Sequence, residues 1–271
     1  MTSRRTRALG QHLLVDQRVA ERVARYARLS KTDTVLEIGP GKGILTRFLA
    51  RGAGRVIAVE KDRQFTSFLQ SMPANVELLF ADALKHPLPD FDKVVSNLPY
   101  SISSPVTFLL LERDFELGVL MYQMEFAERM VAPVGSPDYS RLSVEVFRRA
   151  DCRLLEEVPP SAFAPHPRVR SAIVELRPRP CPFKIIDGGT FSAMARALFS
   201  HRRKSVANAL RSEERLIGEL LRGLDTNDPL LKRRAESLSP EEIAELANSV
   251  AGDERREDGE PVNRGAGKPG R

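Results

Sequence analysis

The sequence predicts an α/β protein in which a Rossmann-like sheet is followed by a small all-helical domain. Short apolar strand patterns at 34–38, 55–60 and 117–123 alternate with helical patterns. This alternation is typical of right-handed β–α–β units in a doubly wound sheet. A glycine-rich turn follows the first of these strands directly, and beyond residue 180 the pattern changes to helices only.

Composition limits the class of protein. The 271 residues are 42% hydrophobic, enough for a substantial core, and the net charge of +6 weakly favours a nucleic-acid partner. The two cysteines show no C-x-x-C spacing, so neither a zinc site nor a disulfide framework is expected, and no metal is predicted. The same cysteine usage predicts a reducing, cytoplasmic compartment. Because no long uncharged apolar run is present, we expect neither a membrane span nor a signal peptide.

The glycine-rich turn at 39–43 indicates a cofactor that contains a nucleoside. Glycine permits positive φ and a close approach of the backbone to a ligand, and the following helix directs its N–H groups towards the same place. The next strand ends in Glu60, about 20 residues beyond the turn, where a carboxylate can accept hydrogen bonds from ribose hydroxyls. The G-x-G-x-G spacing favours a cofactor without pyrophosphate over a nicotinamide cofactor.

Asp82 follows the third predicted strand, 75–80. Its carboxylate could accept a hydrogen bond from the amine of a cofactor adenine. It could equally form a turn or cap a helix, and the sequence pattern leaves both interpretations open.

The fourth predicted strand stops at Asn97-Leu98-Pro99-Tyr100, because proline cannot donate a ladder hydrogen bond. Ser104 is predicted as the N-cap of the next helix. Ligands collect at the carboxyl ends of such strands. There, the Asn97 side-chain oxygen and the Leu98 carbonyl can accept both hydrogens of an exocyclic amine such as adenine N6, and Tyr100 can stack on the base. The alternative is a loop that only ends a strand.

A proline-rich link at 159–167 contains Phe163 between small residues. We expect the Phe163 ring to be exposed near the cleft, where it would face Tyr100 across a flipped base. The alternative is that this ring is a hydrophobic anchor for the loop.

Beyond the link, an apolar face at 191–199 has the spacing of an amphipathic helix. Arg202, Arg203 and Lys204 are predicted to continue that helix with a cationic side.

Further helices are predicted over 216–224 and after Ser239, which is predicted to be an N-cap. The predicted organisation is therefore a sheet domain over 1–180, a helical domain over 181–251 and a disordered tail over 252–271.

Together these motifs resemble the small-subunit ribosomal RNA adenine N6,N6-dimethyltransferases. They occur in the family's order along nearly the whole chain before the tail, and they look closer to archaeal and eukaryotic members than to bacterial ones. The segments that carry the resemblance are Gly10-Gln11-His12-Leu13-Leu14, Glu37-Ile38-Gly39-Pro40-Gly41, Glu60, Asp82, Asn97-Leu98-Pro99-Tyr100, Phe163-Ala164-Pro165-His166-Pro167 with Val169 and Ser171, and Arg202-Arg203-Lys204.

The resemblance implies a class I methyltransferase sheet and S-adenosylmethionine as the cofactor. Within the implied binding site, Glu60 would hold the ribose and Asp82 would address the adenine. Leu13 stands where the family commonly has Phe, which alters the packing of the segment expected to close over the cofactor. The residues implied to bind the cofactor are His12, Leu14, Gly39, Gly41, Glu60, Asp82 and Asn97.

The resemblance also implies a reaction, the N6,N6-dimethylation of two adjacent adenosines near the 3′ end of small-subunit rRNA, with a role in subunit biogenesis. Arg202, Arg203 and Lys204 would bind rRNA phosphates, and the protein is expected to act as a monomer on rRNA or on the assembling small subunit. The residues implied to be catalytic are Asn97, Leu98, Pro99, Tyr100 and Phe163.

Three alternatives remain from the sequence. The first is a large-subunit rRNA adenine N6-methyltransferase of the macrolide-resistance type, which shares the fold and the chemistry. The second is a ribosome-assembly factor that has lost catalysis, and the third is a nicotinamide-dependent oxidoreductase. The Asn-Leu-Pro-Tyr motif argues against the last two.

Overall fold

The computed structural model describes residues 12–213, 218 and 224–257. The helix predicted over 216–224 falls almost entirely outside the described residues, as does the predicted tail beyond residue 257. Within the described part, close contacts divide the chain into two compact units. A sheet unit contains the described residues up to Ala132 together with Val146–Cys181, and a helical unit contains Pro133–Glu145 together with the described residues from Pro182 onwards.

The strands of the sheet unit are β1 Leu13–Leu14, β2 Thr34–Ile38, β3 Arg55–Glu60, β4 Val76–Phe80, β5 Lys93–Asn97, β6 Leu117–Gln123, β7 Ala150–Val158, β8 Phe163–Ala164 and β9 Ser171–Pro178. Seven of them form one sheet with the order β4-β3-β2-β5-β6-β9-β7. The five strands from β4 to β6 in this order are parallel, β9 pairs antiparallel with β6, and β7 pairs antiparallel with β9. A separate two-stranded pair joins β1 to β8.

The central strands are apolar because both of their faces are covered. Val94 and Val95 of β5 and Val119 and Leu120 of β6 are fully buried, as expected for parallel strands with helices on both sides. Strands β2 and β5 are also joined by a side chain, since the Ile38 N–H donates to Ser96 Oγ at 2.8 Å. The carboxyl ends of β2 and β5 therefore lie side by side.

The helices up to residue 149 are α1 Gln17–Tyr26, α2 Ile44–Gly52, α3 Thr66–Leu69, α4 Ser103–Leu111, α5 Met124–Met130 and α6 Arg141–Arg149. Asp16 caps α1, since its carboxylate accepts from the N–H groups of Arg18 and Val19. Helix α4 begins at Ser103 after a 3-10 turn, in which the Tyr100 carbonyl accepts the Ser103 N–H. The prediction of Ser104 as N-cap is therefore wrong.

The helical unit contains α7 Gly188–Ser200, α8 Val206–Ser212 and α9 Pro240–Glu257. On the predicted apolar face of α7, Phe191, Met194 and Leu198 are fully buried and Phe199 is partly buried. This arrangement, with the sheet unit, confirms the predicted fold class.

Helix α9 begins with the predicted cap. The Ser239 hydroxyl accepts the Glu242 N–H at 3.2 Å, and the Glu242 carboxylate accepts the Ser239 N–H at 2.8 Å, which is a capping box. The helix continues to Glu257. Residues 252–257, which the sequence places in the tail, are therefore helical and continue a helix whose apolar side is buried up to Ala251.

No helix in the described part of the chain combines the length and the apolar character that a bilayer crossing requires. The described residues also contain no group of three or more His, Cys, Asp or Glu side chains arranged to hold a metal ion.

Candidate active site

The glycine-rich turn after β2 requires glycine for both conformation and space. Gly39 and Gly41 have φ values of +73° and +56°, in the left-handed region that side chains disfavour. A Cβ atom at Gly39 would lie 3.2 Å from Pro99 Cδ, and one at Gly41 would lie 2.9 Å from a Leu13 methyl carbon. The turn is therefore packed against the Asn-Leu-Pro-Tyr loop on one side and against β1 on the other.

Glu60 ends β3 and lies against this turn. Its carboxylate accepts the Gly41 N–H at 3.1 Å and the Asp62 N–H at 2.8 Å. Burial raises the pKa of Glu60, and the backbone hydrogen bonds partly offset that rise. The position beside the turn is the one predicted for a residue that holds a ribose.

Glu37, in the middle of β2, is a buried acid to which the sequence reasoning gave no role. It lines a narrow cavity together with Leu14, Gly39 and Asn97, and its Oε2 atom has no hydrogen-bond partner among the described residues. Burial raises the pKa of Glu37 from 4.5 to about 8. The sequence feature that could have revealed this position is an acidic residue inside an otherwise apolar strand.

We expect Glu37 to make folding stability fall as pH rises. Between pH 4.5 and about 8, the unfolded chain has lost a proton that the folded carboxyl group keeps, so rising pH favours unfolding by about 1.4 kcal/mol per pH unit. Glu37→Gln should flatten this dependence, with Glu60 retaining part of it. Urea unfolding from pH 5 to 9 measures the effect.

Glu77→Gln is the control for that experiment, because Glu77 is an exposed carboxylate on β4. It shows how the loss of one surface acid alone changes the pH dependence of stability. An unchanged pH slope in Glu37→Gln would show that the carboxyl group is ionised in the folded protein.

Asp82 forms a turn. Its carboxylate accepts the Leu84 N–H at 3.1 Å and the Lys61 ammonium at 2.9 Å, and its carbonyl accepts the N–H groups of Lys85 and His86. The turn-forming interpretation is therefore present in the structure. A hydrogen bond from the amine of a cofactor adenine to Asp82 stays a prediction.

Asn97 ends β5, where it pairs with Met121 of β6. Its Nδ2 group donates to the His12 carbonyl at 3.4 Å, a long hydrogen bond. Its Oδ1 atom is buried and has no partner within the described part of the chain. A buried acceptor without a donor is costly, and it is suited to an incoming N–H group.

The carbonyls after Asn97 are used unequally. The Pro99 carbonyl accepts the Ile102 N–H at 3.0 Å, and the Tyr100 carbonyl accepts the Ser103 N–H. The 3-10 turn therefore uses these two carbonyls for its own hydrogen bonds. The Leu98 carbonyl precedes the turn and is the better candidate to receive a ligand amine.

The Tyr100 ring is held from two sides. Its hydroxyl shares a 2.6 Å hydrogen bond with Ser171 Oγ, and its ring centroid lies 5.5 Å from that of His12 with a tilt of 36°. His12 is itself fixed by a 2.8 Å hydrogen bond between Nδ1 and the Pro165 carbonyl. Burial raises the pKa of Tyr100, so the phenol stays neutral. Sequence reasoning gave Ser171 no role in holding this ring.

Phe163 does not lie in the cleft. Its ring is fully buried in the core with Val158 and Ile173, so the prediction of an exposed ring is wrong and the alternative, a hydrophobic anchor, describes the structure. The cause is the pairing of β8 with β1, in which Phe163 is opposite Leu14. This pairing directs the ring to the core.

The three cations after α7 do not continue that helix, and this prediction is also wrong. Helix α7 ends at Ser200, and the chain then turns into α8. The reason is that the backbone pairs elsewhere in the helical unit. The Arg202 carbonyl accepts the Glu236 N–H at 3.0 Å, and the Lys204 carbonyl accepts the Ala235 N–H at 3.1 Å.

These cations also differ in their surroundings. The Arg202 guanidinium donates to the carbonyls of Pro137 and Tyr139 and therefore holds the helical unit together. Arg203 and Lys204 are exposed. Lys204 lines an open groove with Asn208, Arg211 and Ser212. The groove is a candidate for binding phosphate groups, with Arg203 beside Lys204 in the chain.

Known proteins resemble this chain in sequence and in structure. A family model described as "Ribosomal RNA adenine dimethylase" matches residues 2–250. A protein of Methanosarcina mazei named "Probable ribosomal RNA small subunit methyltransferase A" is 48% identical over 248 residues, which cover 89% of this chain and 91% of that protein.

Among solved structures, a dimethyladenosine transferase from Plasmodium falciparum aligns with a TM-score of 0.71 and 29% identity, covering 91% of this chain and 98% of that one. The 23S rRNA methyltransferase ErmE aligns with a TM-score of 0.62 and 28% identity, covering 88% of this chain and 99% of that one.

Proposed function

Because this chain belongs to the ribosomal RNA adenine dimethylase family, we propose that it dimethylates N6 of two adjacent adenosines near the 3′ end of small-subunit rRNA. One observation carries the proposal: the buried Asn97 Oδ1, without a partner among the described residues, lies at the end of β5 beside the glycine turn. The intact Asn-Leu-Pro-Tyr loop argues against a factor that has lost catalysis.

We propose S-adenosylmethionine as the methyl donor. The chain's residues fit it, since a glycine turn allows close backbone approach and a carboxylate ends the next strand. When bound, this cofactor supplies an electrophilic methyl group on a sulfonium sulfur. The residues proposed to hold it are His12, Leu14, Gly39, Gly41, Glu60, Asp82 and Asn97.

Asn97 and Leu98 are proposed to orient the target amine. Asn97 Oδ1 and the Leu98 carbonyl accept its two hydrogens and favour a tetrahedral nitrogen with a directed lone pair. Neither acceptor is a strong base, so positioning and electrostatics supply the rate effect. The first transfer breaks the bond between methyl group and sulfur and leaves S-adenosylhomocysteine, and the methylated nitrogen releases one proton to water. The amine then retains one hydrogen, and one acceptor is sufficient to orient it again.

Tyr100 is proposed to stack on the flipped adenine. The Ser171 hydrogen bond and the His12 ring fix the position of the Tyr100 ring. With Phe163 in the core, this role rests on Tyr100, and Pro99 supports the loop by packing on Gly39.

The remaining proposals concern the roles of the two regions of the chain and the binding partner. We propose that the region 1–180 performs the transfer and the region 181–251 binds rRNA. The protein is proposed to act as a monomer on the assembling small subunit, and therefore in the cytoplasm.

The deciding experiment is mass spectrometry of rRNA after separate incubations of small and of large ribosomal subunits with the protein and isotopically labelled S-adenosylmethionine. Label on two adjacent adenosines as dimethyladenosine is the expected result. Label on large-subunit rRNA alone would favour a 23S rRNA methyltransferase activity such as the one that ErmE is named for. In a separate titration with S-adenosylhomocysteine and with NAD, binding of NAD alone would overturn the proposed cofactor.

The exposed cations give a second prediction. Arg203→Ala with Lys204→Ala should weaken binding to small-subunit rRNA. The salt slope, which is the slope of the logarithm of the binding constant against the logarithm of the salt concentration, should become shallower by about one to two, because two phosphate contacts are lost. Arg202 is left unchanged because its guanidinium holds two backbone carbonyls. Fluorescence anisotropy over a salt series measures both quantities.

The matched control is Arg47→Ala with Lys184→Ala, which removes one exposed arginine and one exposed lysine elsewhere. An identical slope for the two double variants would exclude Arg203 and Lys204 from the rRNA interface.

A further inference from the structure

The edge of the sheet unit carries a second group of cations, which we name the arginine stripe. It consists of Arg22, Arg25 and Arg28 along and just beyond α1, with Arg153 of β7 and Arg177 of β9. Residues three apart are neighbours along a helix. From Arg22 to Arg28 the stripe extends roughly 9 Å at the helical rise per residue.

Glu175 organises one end of the stripe. Its carboxylate is almost fully buried, yet it meets three guanidinium groups: Arg153 at hydrogen-bond distance, Arg177 at 3.1 Å and Arg28 at 3.8 Å. The Arg28 and Arg153 side chains remain 67% and 63% exposed. Because one carboxylate has only two oxygens, most N–H groups of these arginines face solvent.

Glu156 organises the other end. It accepts bonds from Arg22 at 2.6 to 3.1 Å and from the Tyr26 hydroxyl at 3.1 Å. Arg25 lies close enough to contribute to the lowered pKa of Glu156, after the larger effect of Arg22, and is itself exposed. Five arginines over two carboxylates leave a net charge of +3 for the stripe.

This arrangement has the chemistry of a phosphate-binding surface. Guanidinium groups match phosphate oxygens with paired N–H donors. The buried carboxylates hold several of them in place beforehand, which reduces the ordering cost of binding. A stripe of this length can contact more than one phosphate of an RNA backbone.

We propose that the arginine stripe is a second contact surface for the rRNA backbone, located on the sheet unit and distinct from Arg203 and Lys204. The proposal rests on the proposed function, since it takes small-subunit rRNA as the ligand. The stripe contacts phosphodiesters and positions the RNA without reading bases. It adds to the binding affinity and its salt dependence, and it takes no part in the transfer step.

The test is Arg28→Gln with Arg153→Gln, which leaves Arg177 on Glu175. Binding to small subunits that lack the two dimethyladenosines should weaken about tenfold, and the salt slope should become shallower by about one to two. Methyl transfer at saturating subunit concentration should stay unchanged. Arg28→Lys with Arg153→Lys keeps the charge and should restore most of the slope.

The matched control is Arg47→Gln with Arg55→Gln, an equal loss of charge at exposed positions of α2 and β3. Arg25→Gln changes an exposed helix position that does not bind Glu175, so it tests the stripe even if the double variant fails to fold. Arg25→Gln should also weaken binding and make the slope shallower. Wild-type affinity and slope in the folded double variant would overturn the proposal, as would wild-type values in Arg25→Gln where the double variant does not fold. An equal loss in the control would overturn it too.

The two proposals fail separately. If the wild-type protein transfers no methyl group to small-subunit rRNA, the proposed function fails. If it transfers methyl groups and the stripe variants bind as wild type does, only the arginine stripe fails.

Discussion

Asn97→Ala is expected to lower methyl transfer to small-subunit rRNA by about 10²- to 10³-fold, the usual cost of removing one preorganised polar group from a reacting centre. The substitution removes Oδ1, the buried acceptor that would orient the adenine amine. Folding should be nearly unaffected, because the side chain makes only a long 3.4 Å hydrogen bond to the His12 carbonyl. Single-turnover transfer of a labelled methyl group measures the rate.

Asn75→Ala is the matched control, because Asn75 is a partly buried asparagine before β4 whose amide donates to the carbonyls of Ala50 and Ala53. It should lose stability by about 1 kcal/mol and keep the transfer rate per folded molecule. Transfer by Asn97→Ala within tenfold of wild type would remove Asn97 from the catalytic role.

Gly39→Ala is expected to abolish detectable binding of S-adenosylhomocysteine and to lower transfer at least tenfold. A side chain at φ +73° costs about 1–2 kcal/mol. The new methyl group would also lie 3.2 Å from Pro99 Cδ and press the turn away from the Asn-Leu-Pro-Tyr loop. Calorimetric titration with S-adenosylhomocysteine, together with thermal unfolding, separates the loss of binding from the loss of stability.

Gly135→Ala measures how much stability is lost when a side chain is placed at positive φ without a steric clash. Gly135 has φ +78°, but a Cβ atom there would meet nothing within 4 Å. It should lower stability by an amount similar to Gly39→Ala and leave binding of S-adenosylhomocysteine intact. Equal binding by both variants would show that the turn at Gly39 does not contact the cofactor.

The strands of the central sheet could be predicted because each is specified by a short run of neighbouring residues. A parallel strand buried on both faces is a short apolar run, so β2, β3 and β6 were found with their observed bounds. The glycine turn and the position of Asn97 follow from the ends of such strands. These features need no knowledge of distant parts of the chain.

The errors concern pairings between distant residues. Phe163 is buried because β8 pairs with β1, about 150 residues earlier in the chain, and no local pattern specifies that pairing. Helix α7 ends before Arg202 because the following backbone bonds to residues 235–236. Tyr100 contacts His12 and Ser171, and these two residues likewise come from separate parts of the sequence.

The hydrogen bond from the Ile38 N–H to Ser96 Oγ links the two loops of the proposed site. Ile38 is followed by Gly39, and Ser96 is followed by Asn97, so this bond joins the base of the turn proposed to bind the methyl donor to the base of the loop proposed to hold the target amine. In the proposed reaction, the spacing of donor and nucleophile would then depend on the joined strands β2 and β5 more than on the loops that follow them.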